Sequence, residues 1–362
     1  MRLRTLAEDD LPAVARLHAR VYRGHAWPAP EACAAYFRSV LFDGPWRDRE
    51  LPSWVVEDGG GIRGLYAVLP RRMRFRGRWL RVAVGCQFMV DPERRGGLAA
   101  LQLLKACLAG PQDLTFADGA TEDAARLWLG LGGAAALLYS MHWVRPLRPA
   151  RHAVSMARDR GMLAPPLAAV ARPFAAAADA CVARLRPNRD ILATDGAEDA
   201  ALDAATMCAH LPEMMERAAL RPDYEPRELG WLLEQAAAMK RHGALRARLV
   251  RDQSGAPAGW YLYYVRTGAV AEVLQIAARA GSFDFVLRHL LADAWRQRAT
   301  AVRGRLDPRY AQELSYRHCW LRRDGAATLV HARDPQIVAA IQRGDAFLSR
   351  LEGEWCLRFH GG

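Results

Sequence analysis

The sequence predicts an α/β (α+β) fold of two similar domains, each a mixed, mostly antiparallel sheet flanked by helices. Three observations carry that expectation. The 362 residues fit two domains of roughly 150 each. Periodic segments in the first 150 residues run in the order β-α-α-β-β-β-α-β-α-β, and a similar order returns from Leu249. A short signature also repeats: Val56-x-Asp58 … Gly64-x-Tyr66 matches Val250-x-Asp252 … Gly259-x-Tyr261. Together these point to an internal duplication. The expected division is a first domain at 1–150, a helical Ala/Pro/Arg-rich connector at 151–190, and a second domain at 191–362.

The elements follow from local pattern. Arg2–Thr5 reads as a strand, and the acids and proline of Glu8-Asp9-Asp10-Leu11-Pro12 open a helix. Leu11, Val14, Leu17 and Val21 continue it at helical spacing. A second helix covers Pro30–Phe42. Trp54–Asp58 and Ile62–Leu69 flank a glycine turn as a hairpin, and Trp79–Val90 is a long strand. An Arg/Gly turn then leads into an apolar helix, Leu98–Ala109. Leu114–Ala117 is a strand, Thr121–Leu131 a helix and Ala135–Val144 a strand. In the second half, Leu249–Asp252 and Gly259–Tyr264 form a hairpin. Val270–Ala277 and Thr300–Leu306 are strands, Phe283–Arg298 and Arg309–Trp320 are helices, and Phe347–Phe359 is a closing strand.

Composition excludes several classes. Half the residues (51%) are hydrophobic, too many for a disordered or collagen-like chain. The apolar stretch Leu163–Ala178 is broken by Pro165, Pro166, Arg172 and Pro173, so no membrane span is expected. The net charge of +12 invites anionic partners, but the arginines are spread along the chain without a basic, aromatic-interleaved run. Nucleic acid is therefore not expected as a partner. The seven cysteines are odd in number and show no CxxC or Cys/His spacing, so no metal is expected. They read as core thiols of a reducing compartment, and the acidic N-terminus lacks a signal-peptide core, which together suggest a cytoplasmic protein.

The segment that carries chemistry is Phe88-Met-Val-Asp-Pro-Glu-Arg-Arg-Gly-Gly-Leu-Ala99, followed by an amphipathic helix. A strand ends, a basic glycine-rich turn follows, and a helix begins. Such a turn presents backbone N–H groups and a positive helix end to an anion, and it suits a pyrophosphate. A plain strand-to-helix turn with solvated arginines is the competing reading.

This segment resembles the acyl-CoA-binding motif of the GNAT N-acetyltransferases, Val-x-Pro followed by Arg/Gln-x-x-Gly-x-Gly/Ala. Val90-Asp91-Pro92 matches the first part and Arg94-Arg95-Gly96-Gly97-Leu98-Ala99 the second, across a loop one residue shorter. Thr121-x-x-Ala124-x-x-Leu127-Trp128-x-x-Leu131-Gly132 is similar to the family's next helix motif. The resemblance covers Met1 to about Pro149 in element order. It implies that the strand ending near Val90 splays from Leu114–Ala117, with acetyl-CoA or another acyl-CoA lying in the gap. Backbone groups of Phe88, Met89 and Val90 would hold the pantetheine arm and polarise the thioester. Arg94, Arg95, Gly96, Gly97, Leu98 and Ala99 would hold the pyrophosphate. An amine acceptor would attack directly, with a base to take its proton and an acid for the thiolate.

The chain departs from the pattern at the acid. Trp128 stands where the family often has tyrosine, and an indole N–H is a poor acid. Tyr139 and His142 are the substitutes on offer, against packing for each. For the base, Asp118, Glu122 and Asp123 cluster at a strand end and helix start, where helix capping is the competing role. Asp118 or Glu122 is the candidate. Cys86 reads as core, because direct transfer needs no nucleophile.

The second half has only Ala277-Ala-Arg-Ala-Gly281-Ser-Phe-Asp284 at the corresponding turn, a poor phosphate cradle. It reads as a degenerate GNAT-like domain that shapes the acceptor site or a subunit contact, with a homodimer among the expectations. Glu272 and His289 are its weaker site candidates. The functional expectation is an acyl-CoA-dependent N-acyltransferase, acetyl by default, acting on a small-molecule or peptide amine such as an amino sugar or amino acid. The rivals are a non-catalytic acyl-CoA-binding scaffold and an acyltransferase using longer-chain acyl-CoA or acyl-carrier-protein donors.

Overall fold

The computed structural model describes residues 1–22, 29–94, 98–182, 199–323 and 325–357. In chain order its first strands are β1 (Arg2–Thr5), β2 (Trp54–Asp58), β3 (Gly61–Phe75), β4 (Arg78–Val90) and β5 (Leu114–Ala120). Next come β6 (Ala134–Ala135), β7 (Met141–Pro146), β8 (Ala200–Ala201), β9 (Leu220–Pro222) and β10 (Ala244–Arg251). The last are β11 (Pro257–Val265), β12 (Val270–Ala278), β13 (Ala301–Arg305), β14 (Trp320–Arg323) and β15 (Ala327–Ala332). The helices used below are α1 (Leu11–Val21), α2 (Pro30–Leu41), α3 (Leu98–Leu108) and α4 (Glu122–Gly130). They continue with α5 (Pro149–Asp159), α6 (Pro165–Val182), α7 (Ala204–Met214), α8 (Pro226–Ala238) and α9 (Phe283–Arg296).

The mixed, mostly antiparallel α/β architecture is present in two sheets. One runs β1-β2-β3-β4-β5-β15-β6, with β9 also on β3. The other runs β14-β7-β13-β12-β11-β10-β8. Within each, a single parallel pair, β4 with β5 or β12 with β13, interrupts the antiparallel order. Local chemistry explains the turns. Arg76 and Gly77 between β3 and β4 both have positive φ (49° and 84°), the geometry a two-residue hairpin needs to match strand twist.

The repeated sequence signature is a repeated register. Val56 lies opposite Gly64, and Val250 opposite Gly259. Gly64 in turn faces Val90, and Gly259 faces Ala278. The two glycines serve the same purpose. A Cβ on Gly64 would meet Leu103 of α3 at 2.8 Å, and one on Gly259 would meet Val286 of α9 at 2.8 Å. Each glycine lets a helix lie close on its sheet.

The compact units are not contiguous in sequence, where a 1–150, 151–190, 191–362 division was expected. One unit comprises Met1–Ser140, Ala218–Arg241 and Gly325–Gly362. The other comprises Met141–Arg217 and His242–Asp324. The cause is an exchange of strands. β7 leaves the first half to pair with β13, while β15 leaves the second half to pair with β5. The connector is helical where described, as α5 and α6, and residues 183–190 lie outside the described residues.

Three expected elements change. Ala135–Val144 is not one strand: β6 joins the first sheet, a 3-10 turn covers Leu138–Ser140, and β7 joins the second. The turn is fixed by Tyr139, whose hydroxyl donates to the Ala346 carbonyl (2.6 Å) and accepts from the Ala346 amide (3.0 Å). Arg309–Trp320 is helical only over Ala311–Tyr316, after a 3-10 turn at Pro308–Tyr310. The closing segment is not a strand. Residues 347–354 are almost all buried without regular structure, and Trp355–Leu357 forms a 3-10 turn.

His18 of α1 is buried among the Tyr22 and Phe37 rings (centroids 4.7 and 5.9 Å). Burial pushes its pKa down to about 4. An unfolded histidine titrates near ~6.5, so the unfolded chain binds this proton first as pH falls. The stability contributed by neutral His18 is present above that value and is lost as pH falls from it toward about 4. A His18→Phe variant is expected to lose about 1–2 kcal/mol less than the parent between about pH 7 and pH 5, read by denaturant unfolding. Tyr139→Phe strands both backbone groups of Ala346 and is expected to cost about 1–3 kcal/mol in the same assay.

Candidate functional site

The site lies in the first unit and begins where strand pairing stops. β4 and β5 are paired at Val82–Leu114, Ala83–Thr115 and Val84–Phe116, and no further. Beyond Val84 the strands part, as the resemblance implied. A bulge sits at that point. Leu65 is opposite Met89 and Ala67 opposite Cys86, so Gln87 and Phe88 share one partner position, Tyr66. Gln87 takes a left-handed φ of 48°, a strained conformation for a residue with a side chain.

The gap opens into a cleft of about 100 Å³. Tyr66, Gly85, Gln87, Phe88, Trp128 and Glu354 are among its walls. Tyr66 rises from β3 beneath β4. A Cβ on Gly85 would lie 2.0 Å from the Tyr66 hydroxyl, so only glycine leaves room for it. Its ring meets Phe88 edge-on at 5.1 Å. Burial, then nearby Cys107, Cys86 and Glu354, push the Tyr66 hydroxyl well above the usual tyrosine range. The Tyr66 hydroxyl and the Gln87 side-chain N–H are buried donors with no partner among the described residues.

Glu354 comes from the buried closing segment. One of its carboxylate oxygens accepts the Gln87 backbone N–H at 3.0 Å. Its own N–H donates to Asp118 at 2.9 Å. A Cβ on Gly353 would sit 2.0 Å from the Asp118 carboxylate, so the chain can approach Asp118 only as glycine. Asp118 therefore holds the segment that delivers Glu354.

Other sequence candidates fall elsewhere. Glu122 and Asp123 are exposed in the first turn of α4, and Asp123 pairs with Arg126. Tyr139 is spent on Ala346, outside the cleft walls. His142 is on β7, in the other sheet. Cys86 lies in the cleft wall. Trp128 is there too, but its indole N–H donates to the Val330 carbonyl at 3.0 Å. That is its only donor, so it has no proton to offer a ligand.

In the expected cofactor segment, Phe88 lines the cleft, while Met89 and Val90 lie in register with Leu65 and Gly64. Arg94 closes a 3-10 turn, and Leu98 and Ala99 open α3. Arg95, Gly96 and Gly97 lie outside the described residues. The strand exit before them is pinned by buried Asp91, paired with Arg63 (3.1 Å) and Arg20 (3.2 Å). Burial alone would push the Asp91 carboxyl up, but the Glu93 amide and these two guanidiniums bring it below the usual range.

The second unit repeats the frame but fills it. β12 and β13 pair only from Val270–Ala301 to Glu272–Arg303, and a bulge follows at Leu274. Glu272 accepts from Arg303 at 3.0 and 3.1 Å. Tyr261, the counterpart of Tyr66, donates to Asp199, whose other oxygen pairs with His289 at 2.7 Å. Asp284, at the start of α9, binds Arg317. Glu272 and His289 are thus held in internal pairs.

Sequence reading missed Tyr66, Gln87 and Glu354. Tyr66 was visible in the repeated Gly-x-Tyr signature, but only as a repeat marker. Nothing local distinguishes Glu354 from the other acids of its segment. Among the described residues there is no cluster of three His, Cys, Asp or Glu that could hold a metal, and no helix long and apolar enough to cross a membrane.

Residues 2–112 match the family model described as "Acetyltransferase (GNAT) domain". No curated protein sequence matches the chain. Solved structures share its fold. A GCN5-related N-acetyltransferase from Kribbella flavida is 16% identical, with a TM-score of 0.58 over 94% of this chain and 74% of that one. A GCN5-related N-acetyltransferase from Anabaena variabilis is 12% identical, with a TM-score of 0.58 over 92% and 73%. A conserved protein from Enterococcus faecalis, described as a probable N-acyltransferase, is 10% identical, with a TM-score of 0.57 over 91% and 72%. A GNAT acetyltransferase domain model thus matches residues 2–112, and the fold is shared with these solved structures along about nine-tenths of the chain.

Proposed function

We propose that this protein transfers an acyl group from acyl-CoA directly to a primary amine, with acetyl-CoA as the default donor and a small-molecule or peptide amine as acceptor. The observation that carries this reading is the parting of β4 and β5 after Val84–Phe116, with a bulge at Gln87 and a cleft behind it. Strand separation exposes backbone donors that a closed sheet would consume. The thioester fits beside Phe88–Val90, and the family resemblance of the sequence assigns the pyrophosphate to Arg94–Ala99. The amine nitrogen attacks the thioester carbon, forming the C–N bond as the C–S bond breaks. Holding both reactants in one cleft supplies much of the rate.

Glu354 is the proposed acceptor of the amine proton, because it is the carboxylate in the cleft wall. Asp118 acts through it as a positioning residue. Glu122, solvent-exposed at the start of α4, has no such placement. A second reading, a non-catalytic acyl-CoA binder, is favoured by the spent indole N–H of Trp128.

Thermal-shift titration with acetyl-CoA and longer acyl-CoAs is expected to raise Tm, and an amine panel is expected to release CoA thiol. Absence of any shift would remove the reading, and a shift without thiol release would select the binder. Glu354→Gln keeps an acceptor for the Gln87 amide but removes the base. It is expected to lower kcat by about 10²–10⁴ with the acyl-CoA thermal shift retained.

A further inference from the structure

The first unit has a second hollow, of about 480 Å³, which shares no wall residue with the acyl-transfer cleft. It sits at a gap in the sheet. β4 covers one edge of β3 from Gly64 to Phe75. On the other edge, β2 pairs only as far as Trp54–Tyr66, and β9 takes over at Met73–Pro222. The stretch between is finished without a strand. The Val68 N–H donates to the Ser53 hydroxyl at 3.0 Å, and Pro70 has no N–H. Neither residue offers a donor to an incoming strand, so the gap does not suit strand addition. Its walls are mainly apolar: Leu41 and Phe42 at the end of α2, Leu51 and Pro52 before β2, and Val68 and Pro70 of β3.

The polar part of the wall is positive. Arg47 and Arg49 stand in it, on the loop between α2 and β2. The arginines of β3 and β4 nearby are matched by acids: Arg72 and Arg74 by Asp223, Arg78 by Asp113, and Arg81 by Asp48 and Glu50. Arg47 and Arg49 have no ion-pair or hydrogen-bond partner among the described residues. The carboxylate between them, Asp48, is already committed. One oxygen pairs with Arg81 at 3.0 Å and the other accepts the Glu50 N–H at 2.9 Å. The loop is also anchored by Trp46, whose ring lies under the Arg71 guanidinium at 3.6 Å and meets Trp231 edge-on at 5.6 Å. A preformed apolar hollow with a few convergent polar groups is the usual form of a small-molecule site. We propose that this notch binds a small organic anion, a carboxylate whose charge lies between Arg47 and Arg49 and whose apolar body fills the gap between β2 and β9. Guanidiniums hold a carboxylate by charge-assisted hydrogen bonds that its neutral amide cannot match, and they repel a cationic amine. The site is therefore distinct from that of the acyl donor and the amine, and it does not depend on the acyl-transfer reading.

Calorimetric titration of the full chain with 2-naphthoate tests the site, with 2-naphthamide as the uncharged counterpart. The parent is expected to bind 2-naphthoate about fivefold to tenfold more tightly than 2-naphthamide. The double variant Arg47→Gln, Arg49→Gln is expected to bring the two probes within about twofold of each other while leaving the amide affinity unchanged. Leu41→Trp narrows the notch and is expected to weaken both probes by about tenfold or more. Arg47 and Arg49 are exposed, so the double variant keeps the test decisive even where Leu41→Trp fails to fold. Excess acetyl-CoA is expected to leave 2-naphthoate binding unchanged. Absence of binding, or equal affinity of the parent for the two probes, overturns the proposal. So does a preference for 2-naphthoate that survives loss of both arginines. Displacement by acetyl-CoA overturns it as well, because the probe would then sit in the acyl-transfer cleft.

Discussion

Three residue pairs join β4 to β5, and the candidate site depends on their stopping at Val84–Phe116. A parallel pair between antiparallel neighbours has little to hold it open except what is wedged into it. Here the wedge is the bulge at Gln87, whose extra residue turns the strand away from its partner. Once the strands diverge, their facing backbone groups must find other partners. Glu354 takes the Gln87 amide. Tyr66, coming up beneath the bulge, finds none among the described residues. The strain at Gln87, the glycine at 85 and the buried hydroxyl at 66 are thus parts of one arrangement, in which the sheet gives up closure to make a cleft.

The second unit shows the same constraint with a different outcome. Its parallel pairing also ends after three residues and is also followed by a bulge. Yet the polar groups around it are consumed in pairs: Glu272 with Arg303, Tyr261 with Asp199, Asp199 with His289, and Asp293 with Arg246 and Tyr263. Most of the polar capacity around this pairing is thus taken up internally, although the His289 Nε2 is buried without a partner among the described residues. The frame of the fold is therefore separable from its chemistry, and side chains from outside the repeat decide which copy is equipped.

What could be read from the sequence was what is local. The hairpin signatures and the helix after the Arg/Gly turn follow from segments of a dozen residues or fewer, whereas the parting of the strands was implied only by the family resemblance. The Gly-x-Tyr repeat carried more than was taken from it. The glycine is a contact point for a helix, and the tyrosine two residues on reaches the same face. The rest was illegible for a physical reason. Glu354 meets Asp118 across 236 positions of chain, and Tyr139 meets Ala346 across 207. No periodicity encodes such a pairing. The segment from Phe347 onward ends apolar and reads like a strand, yet it is buried without regular structure. The partner of the Trp128 indole, Val330, likewise lies on a late strand, β15.

The exchange of β7 and β15 has a consequence for how the chain is made. During synthesis β5 is left at the edge of the first sheet, and the strand that covers it, β15, emerges about 200 residues later. Until then β5 presents an unpaired edge, the kind of surface that recruits other strands. Trp128 waits as well, since the carbonyl its indole needs belongs to β15. Neither half of the sequence thus completes its own sheet, despite the repeated register. The candidate cleft is completed only with Glu354, 236 positions after Asp118, so a product truncated before it would hold the cofactor frame without its proposed base.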